Sequence, residues 1–149
     1  MQIKRTHAED PDFIELVRLL DADLAKRDGD EHAFYAQYNK IDNLKYVVVI
    51  VDKDKPISCG AIKHYDEISM ELKRMFTLPT VRGKGVASLV LQELEIWTTQ
   101  LGYSRCILET GIRQPEAIAL YNKNGYSLIP NYGPYINVED SRCFMKEVK

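Results

Sequence analysis

The chain has 149 residues, 45% of them hydrophobic and 28% charged, with a formal net charge of −2. That reads as a single domain over 1–149 with enough apolar content for a core. The near-neutral balance gives no basic footprint for nucleic acid, and no apolar run reaches the ~18 residues of a membrane span. Cys59, Cys106 and Cys143 are widely spaced, with no C-x-x-C. An odd, unpaired set points to a reducing compartment, so a cytoplasmic location is expected. His7, His32 and His64 share no metal-ligand spacing, so no metal is expected. The start, Met-Gln-Ile-Lys-Arg and then acidic residues, does not read as a signal peptide.

In chain order, residues 2–6 read as a short strand. Asp10-Pro11 predicts an N-cap with proline at N1. Phe13, Ile14, Val17, Leu20 and Leu24 then form a helical stripe to about Lys26. A shorter helix is expected from His32 to Tyr38, carrying Phe34, Tyr35 and Tyr38. The β-branched run Tyr46–Val51 predicts a strand buried on both faces. Asp52-Lys53-Asp54-Lys55 is a turn, Ile57–His64 the return strand, and Asp66-Glu67 the next turn.

Residues 68–76 alternate as a strand does. Met70, Leu72 and Phe76 share the apolar parity with one exception, Arg74, while Glu71 and Lys73 lie on the other. Thr77–Ala87 holds Gly83 and Gly85 between Arg82, Lys84 and a helix start. The helix follows from Val86, Val90, Leu94, Trp97 and Leu101, at spacings of three and four, and Gly102 stops it. Glycines without a Cβ, the free N–H groups of a first helical turn and two adjacent cations together point to a phosphate-bearing ligand.

Arg105–Thr110 is the next strand, parallel to 67–76 through a right-handed crossover. Pro115 opens a helix at N1, with Glu116 in its first turn, and Gly125 closes it. Tyr126–Ile129 is a short strand. Residues 130–141 are a loop rich in Pro, Gly, Asn and Tyr, and Arg142–Val148 closes the sheet.

Two phosphate motifs fail against the glycine turn. A P-loop needs Gly-Lys-Ser/Thr with an upstream glycine, but Gly85 follows Lys84 and Leu78 occupies the upstream position. A dinucleotide fingerprint needs a third glycine, and Ser88 stands there, although Glu109 lies near the distance of a ribose-binding acid. Its glycine loop also follows the first strand of a parallel unit, whereas an antiparallel meander precedes this one. Arg82-Gly83-Lys84-Gly85-Val86-Ala87 instead resembles the Arg/Gln-x-x-Gly-x-Gly/Ala pyrophosphate motif of the GNAT family of N-acetyltransferases. Gln114 to Ala117, then Leu120-Tyr121, then Gly125-Tyr126 resembles that family's second signature, with Gln114 where the family usually has Asn. The likeness covers residues 45–130 well and the flanks loosely.

The resemblance implies an α/β (α+β) architecture, a mixed sheet of six or seven strands with helices on both faces. It implies transfer of the acetyl group of acetyl-CoA to a primary amine of a small molecule, an amino-acid-like compound or a protein. A non-catalytic acyl-CoA sensor of the same fold is the alternative, since fold does not fix function. The donor is expected on the backbone of Met75, Phe76 and Thr77 and on Arg82, Gly83, Lys84, Gly85, Val86, Ala87 and Gln114. Tyr121 is the candidate acid for the leaving thiolate, because a phenol with a reference pKa of ~10 stays protonated at neutral pH. Its bland counterpart is a tyrosine packed on the sheet. Glu71 is the candidate base, with Glu109 or water sharing or replacing that role, against a plain salt bridge for Glu71. Tyr35, Glu109 and Tyr135 are expected at the acceptor. A monomer or homodimer is expected, without nucleic-acid or membrane partners.

Overall fold

The computed structural model describes residues 1–29 and 44–149. Phe34, Tyr35, Tyr38 and the expected helix over 32–38 lie outside them. Among the described residues are seven strands: β1 (Gln2–Thr6), β2 (Tyr46–Asp52), β3 (Lys55–His64), β4 (Ser69–Thr77), β5 (Arg105–Gly111), β6 (Ser127–Ile129) and β7 (Ser141–Glu147). They form one mixed sheet in the order β1-β2-β3-β4-β5-β7-β6. Among the described residues three α-helices accompany it: α1 (Pro11–Asp28), α2 (Val86–Gln100) and α3 (Pro115–Lys123).

The sheet is covered on both faces, as the β-branched run requires. Val47–Ile50 of β2 are consecutively buried, and so are Ile57–Ile62 of β3. Side chains alternate across a strand, so an unbroken buried run needs packing above and below. α1 and α2 both contact these strands. α1 places Phe13, Leu16, Val17, Leu20 and Leu24 in the core, and α2 adds Val86, Val90, Leu91 and Leu94. Burying an aliphatic side chain is worth ~1.5–3 kcal/mol, which makes this double-sided packing the main support of the sheet. The Asp10 side chain accepts from the Asp12 N–H and caps α1. The helix runs two residues past the expected Lys26, to Asp28, and Gly29 ends it at φ 55°.

β2, β3 and β4 form the antiparallel meander, and β5 is parallel to β4. One reading needs correction. The C-terminal strand does not close the sheet: β7 lies between β5 and β6, and β6 forms the edge. The cause is the long connection over residues 130–140, which lets β7 return antiparallel to both neighbours.

Two irregularities shape the site. In β4, Lys73 pairs with Ala61 and Phe76 with Cys59, so Arg74 and Met75 together face Gly60 in a β-bulge. Arg74 adopts φ 59°, a left-handed conformation rare for arginine. A Cβ on Gly60 would collide with Met75 Sδ and stand 2.9 Å from Leu94 Cδ1, so any larger residue there would push these two side chains aside. Arg74 broke the apolar parity because the strand itself is broken at that point. Its guanidinium, almost wholly buried, is paired with Asp21 of α1.

The second irregularity is a split. The parallel ladder between β4 and β5 holds only from Ser69↔Arg105 to Glu71↔Ile107. Beyond Glu71 the β5-facing edge of β4 has no strand partner among the described residues, and the two strands frame a wedge.

Candidate active site

A cavity of about 320 Å³ fills this wedge. β4 contributes Leu72 to Thr77 to its wall, and β5 contributes Glu109, Thr110 and Gly111. Leu20, Leu24 and Asp28 of α1 close one end. The glycine turn and the start of α2 close the other, with Gln114 and Tyr121 of the β5–α3 region alongside.

The turn end is built from backbone. Gly83 and Gly85 adopt φ 81° and 80°. An added Cβ at either would meet nothing within 4 Å, so glycine serves the left-handed backbone here and leaves the turn open. Gly85 is the N-cap of α2, and no side chain caps the first-turn N–H groups. They are free to bind an anion, aided by the helix dipole. Arg82 is fixed beside them, its Nε donating to the Thr77 carbonyl at 2.9 Å and its guanidinium lying over the Phe76 ring. Arg82, Gly83, Gly85, Val86 and Ala87 line the cavity, whereas Lys84 stands exposed outside the lining. Met75, Phe76 and Thr77 present the unpaired β4 edge, whose peptide groups suit a ligand carrying amides.

The other end is built from side chains. Glu109 is half-buried and accepts from Ser141 Oγ at 2.6 Å. Burial pushes its pKa up, Ser141 and Lys73 draw it down, and the Glu71 and Asp28 carboxylates push it up again, to about 7. Lys73 also lines the wall, its side chain 11% exposed, and burial lowers its pKa against the pull of Glu71 and Glu109. Its ammonium lies 3.8 Å from Glu71. Glu71 is occupied differently: it accepts from the Tyr132 hydroxyl at 2.6 Å and lies outside the cavity lining. The two candidate bases thus part company, Glu109 facing the cavity and Glu71 standing behind Lys73.

Tyr121 lines the cavity and is only 5% exposed, with its ring against Tyr126 and Phe144. Burial, reinforced by Glu109, pushes the phenol pKa well above its ordinary value. Tyr135, within the β6–β7 connection, is buried, edge-on to Tyr132, and lies outside the cavity lining. Two contributors carried no signal in the sequence. Lys73 looked like one more polar residue in an alternating strand. Ser141 reaches Glu109 only because β7 pairs Gly111 with Ser141 and Glu109 with Cys143. Among the described residues no group of His, Cys, Asp and Glu is arranged to hold a metal.

The profile of the acetyltransferase (GNAT) family matches residues 13–126. The chain belongs to the GNAT family. An IAA acetyltransferase of Azospirillum brasilense is 40% identical over 80 residues, covering 53% of this chain and 52% of that protein. The Escherichia coli K12 N-acetyltransferase YjgM is 45% identical over 60 residues, 40% of this chain and 35% of that one. This chain therefore spans about half or less of the length of these relatives. A structure from Klebsiella pneumoniae subsp. pneumoniae MGH 78578, named as an acyl-CoA N-acyltransferase, superposes with a TM-score of 0.83 at 28% identity, covering 99% of this chain and 97% of that one. A GNAT acetyltransferase from Elizabethkingia anophelis with acetyl-CoA bound shares the fold, with a TM-score of 0.69 at 16% identity and coverage of 98% and 97%. No helix among the described residues is long and apolar enough to cross a membrane.

Proposed function

We propose that this GNAT protein transfers the acetyl group of acetyl-CoA to a small primary amine, with Glu109 as the general base and Tyr121 as the general acid. The observation that carries the reading is one cavity lined both by an uncapped helix N-terminus with its glycine turn and by the Glu109 carboxylate, held by the Ser141 hydroxyl. Acetyl-CoA supplies the activated acyl group. Its pyrophosphate suits the Gly83–Ala87 turn and the Arg82 guanidinium, and its pantetheine amides suit the free β4 edge over Met75–Thr77.

An alkyl ammonium has a reference pKa near ~10.4 and must lose a proton before it attacks. Glu109 holds the ammonium by charge and takes that proton. A pKa near the working pH keeps a large share of the group ionised while leaving it basic enough to take the proton. Glu71, engaged by Tyr132 and Lys73, tunes that charge from behind. The attack needs the carbonyl and the amine side by side, and the wedge supplies that proximity. The Tyr121 phenol, protonated throughout the working range, donates to the departing thiolate.

Among the described residues the cavity measures about 320 Å³ and must also hold the acyl end of the donor, which is the ground for proposing a compact acceptor. Thiol release from acetyl-CoA across a panel of small amines, with product masses, tests the proposal. Tight acetyl-CoA binding without release for any amine would support a sensor instead.

A further inference from the structure

Glu109 depends on a loop whose organising residue lies away from the cavity. The β6–β7 connection, residues 130–140, is gathered by one side chain. Asn131 Nδ2 donates to the carbonyls of Tyr135 and Val138 at 3.1 Å and of Ser141 at 3.2 Å. Those three carbonyls span the end of the connection and the first residue of β7. Backbone bonds continue the same path, from Val138 N to Tyr135 O at 3.0 Å and from Ser141 N to Val138 O at 3.1 Å. The path ends at a fully buried serine, whose hydroxyl donates to Glu109 Oε2 at 2.6 Å. Asn131 is outside the cavity lining, and Ser141 also lies behind Glu109 rather than on the wall.

We propose that Asn131 is a positioning residue for the base: by drawing the connection together it seats the Ser141 hydroxyl on Glu109 and holds that carboxylate aimed into the cavity. The inference rests on Glu109 being the base. A short hydrogen bond from a hydroxyl to a carboxylate stabilises the ionised form and fixes its rotamer. The rest of the surroundings oppose or assist that charge from each packed element. Burial raises the Glu109 pKa. Lys73 on β4 favours the anion, while Glu71 on β4 and Asp28 on α1 disfavour it. Tyr121 on α3 and Cys143 on β7 also face the group, and both feel its charge. Within this set Ser141 is the donor delivered by the connection, and Asn131 fixes where it stands.

The test is the pH profile of kcat/KM, read together with a 13C titration of the Glu109 carboxyl, which needs no turnover. Ser141→Ala should move the acid limb upward by about one pH unit, and Ser141→Thr, which keeps the hydroxyl, should restore it. Asn131→Ala should move the limb in the same direction and by a similar amount. Asn131→Ala combined with Ser141→Ala should add nothing further, because both changes remove one bond. A lower melting temperature with the limb unmoved in Asn131→Ala would reduce Asn131 to a structural clamp and overturn the proposal. Asn131→Ser serves as the second variant, and failure of both to fold would equally assign the residue to the fold and not to the base. Loss of the base assignment is distinguishable. Full turnover in Glu109→Gln defeats that assignment, while the carboxyl titration still reads whether Asn131 and Ser141 act on Glu109.

Discussion

The two ends of the cavity are made of different material. The turn end is backbone: Gly83 and Gly85 at positive φ, an uncapped helix start and a free strand edge. It comes from a single stretch, Met75 to Ala87. The other end is side chains delivered by separate elements, Lys73 from β4, Glu109 from β5, Ser141 from β7 and Asp28 from α1. Backbone sites bind by shape and are insensitive to pH. Side-chain sites act through protonation and depend on every neighbour that sets a charge. The comparison predicts that variants at one end move donor affinity alone, and variants at the other move turnover and its pH dependence.

The largest expected effect is at Glu109. Glu109→Gln should lower kcat/KM by roughly 10²–10⁴-fold and leave the acetyl-CoA dissociation constant nearly unchanged. The same change should stabilise the fold at alkaline pH. The Glu109 pKa rises from an ordinary 4.5 to about 7 on folding, so its contribution is fully present below pH 4.5 and is lost as pH climbs through 7. Above pH 8 the glutamine protein escapes that cost, by up to about 3 kcal/mol. Denaturant melts of both proteins at pH 5 and pH 8.5 check the sign: the gap should open only at the higher pH. A gap of equal size at both would mean that packing, not charge, differs.

Tyr121→Phe comes next. It deletes one hydroxyl and keeps the ring that packs on Tyr126 and Phe144. We expect kcat to fall by about 10²-fold with donor affinity intact. The deficit should shrink for acyl donors whose thiol is a better leaving group, since these need less help from an acid. An unchanged kcat with a lower melting temperature would return Tyr121 to the core.

At the turn end, Gly85→Val should weaken acetyl-CoA binding by about 10-fold or more by calorimetry while kcat at saturation holds. Valine at φ 80° also costs about 1–2 kcal/mol in backbone strain. Gly85→Asn tolerates that φ and separates strain from obstruction. Loss of affinity with asparagine too would place the ligand against the Cβ position.

The difference in material also explains what could be read from the sequence. The turn end is contiguous, so its residue types stand side by side and their pattern is visible: Arg82, two glycines and a helix stripe. The meander and the caps at Asp10 and Gly125 are local for the same reason, and the parallel β5 follows from the handed crossover through α2. The side-chain end depends on sheet order, and sheet order depends on the return of β7 between β5 and β6. In the sequence Ser141 reads as the last residue of a loop, and nothing there links it to Glu109. Glu71 and Glu109 were both visible as acids on strands, but which one faces the cavity is decided by where the β4–β5 ladder stops, one register step that no periodicity reports. Arg74 was visible as a breach of alternation, and the bulge at Gly60 is its cause.

The smallest expected effect is the most discriminating between the two carboxylates. If Glu71 were the base, Glu71→Gln would be as damaging as Glu109→Gln. It lies outside the cavity lining, accepts from Tyr132 and pairs with Lys73. Its influence on the reaction is then electrostatic and indirect. The Glu71 charge pushes the Glu109 pKa up, so neutralising it should let that pKa fall. Lys73, released from Glu71, would lean on Glu109 and pull in the same direction. The acid limb of kcat/KM in Glu71→Gln should therefore shift to lower pH, opposite to the shift expected for Ser141→Ala. At the plateau the rate should stay within about 10-fold of wild type, because a base of lower pKa is ionised more fully but accepts a proton less readily. A plateau collapse matching that of Glu109→Gln would exchange the roles of the two residues. A limb that does not move would show that the Glu71 charge is screened from the cavity, leaving Lys73 and Ser141 to set Glu109 alone.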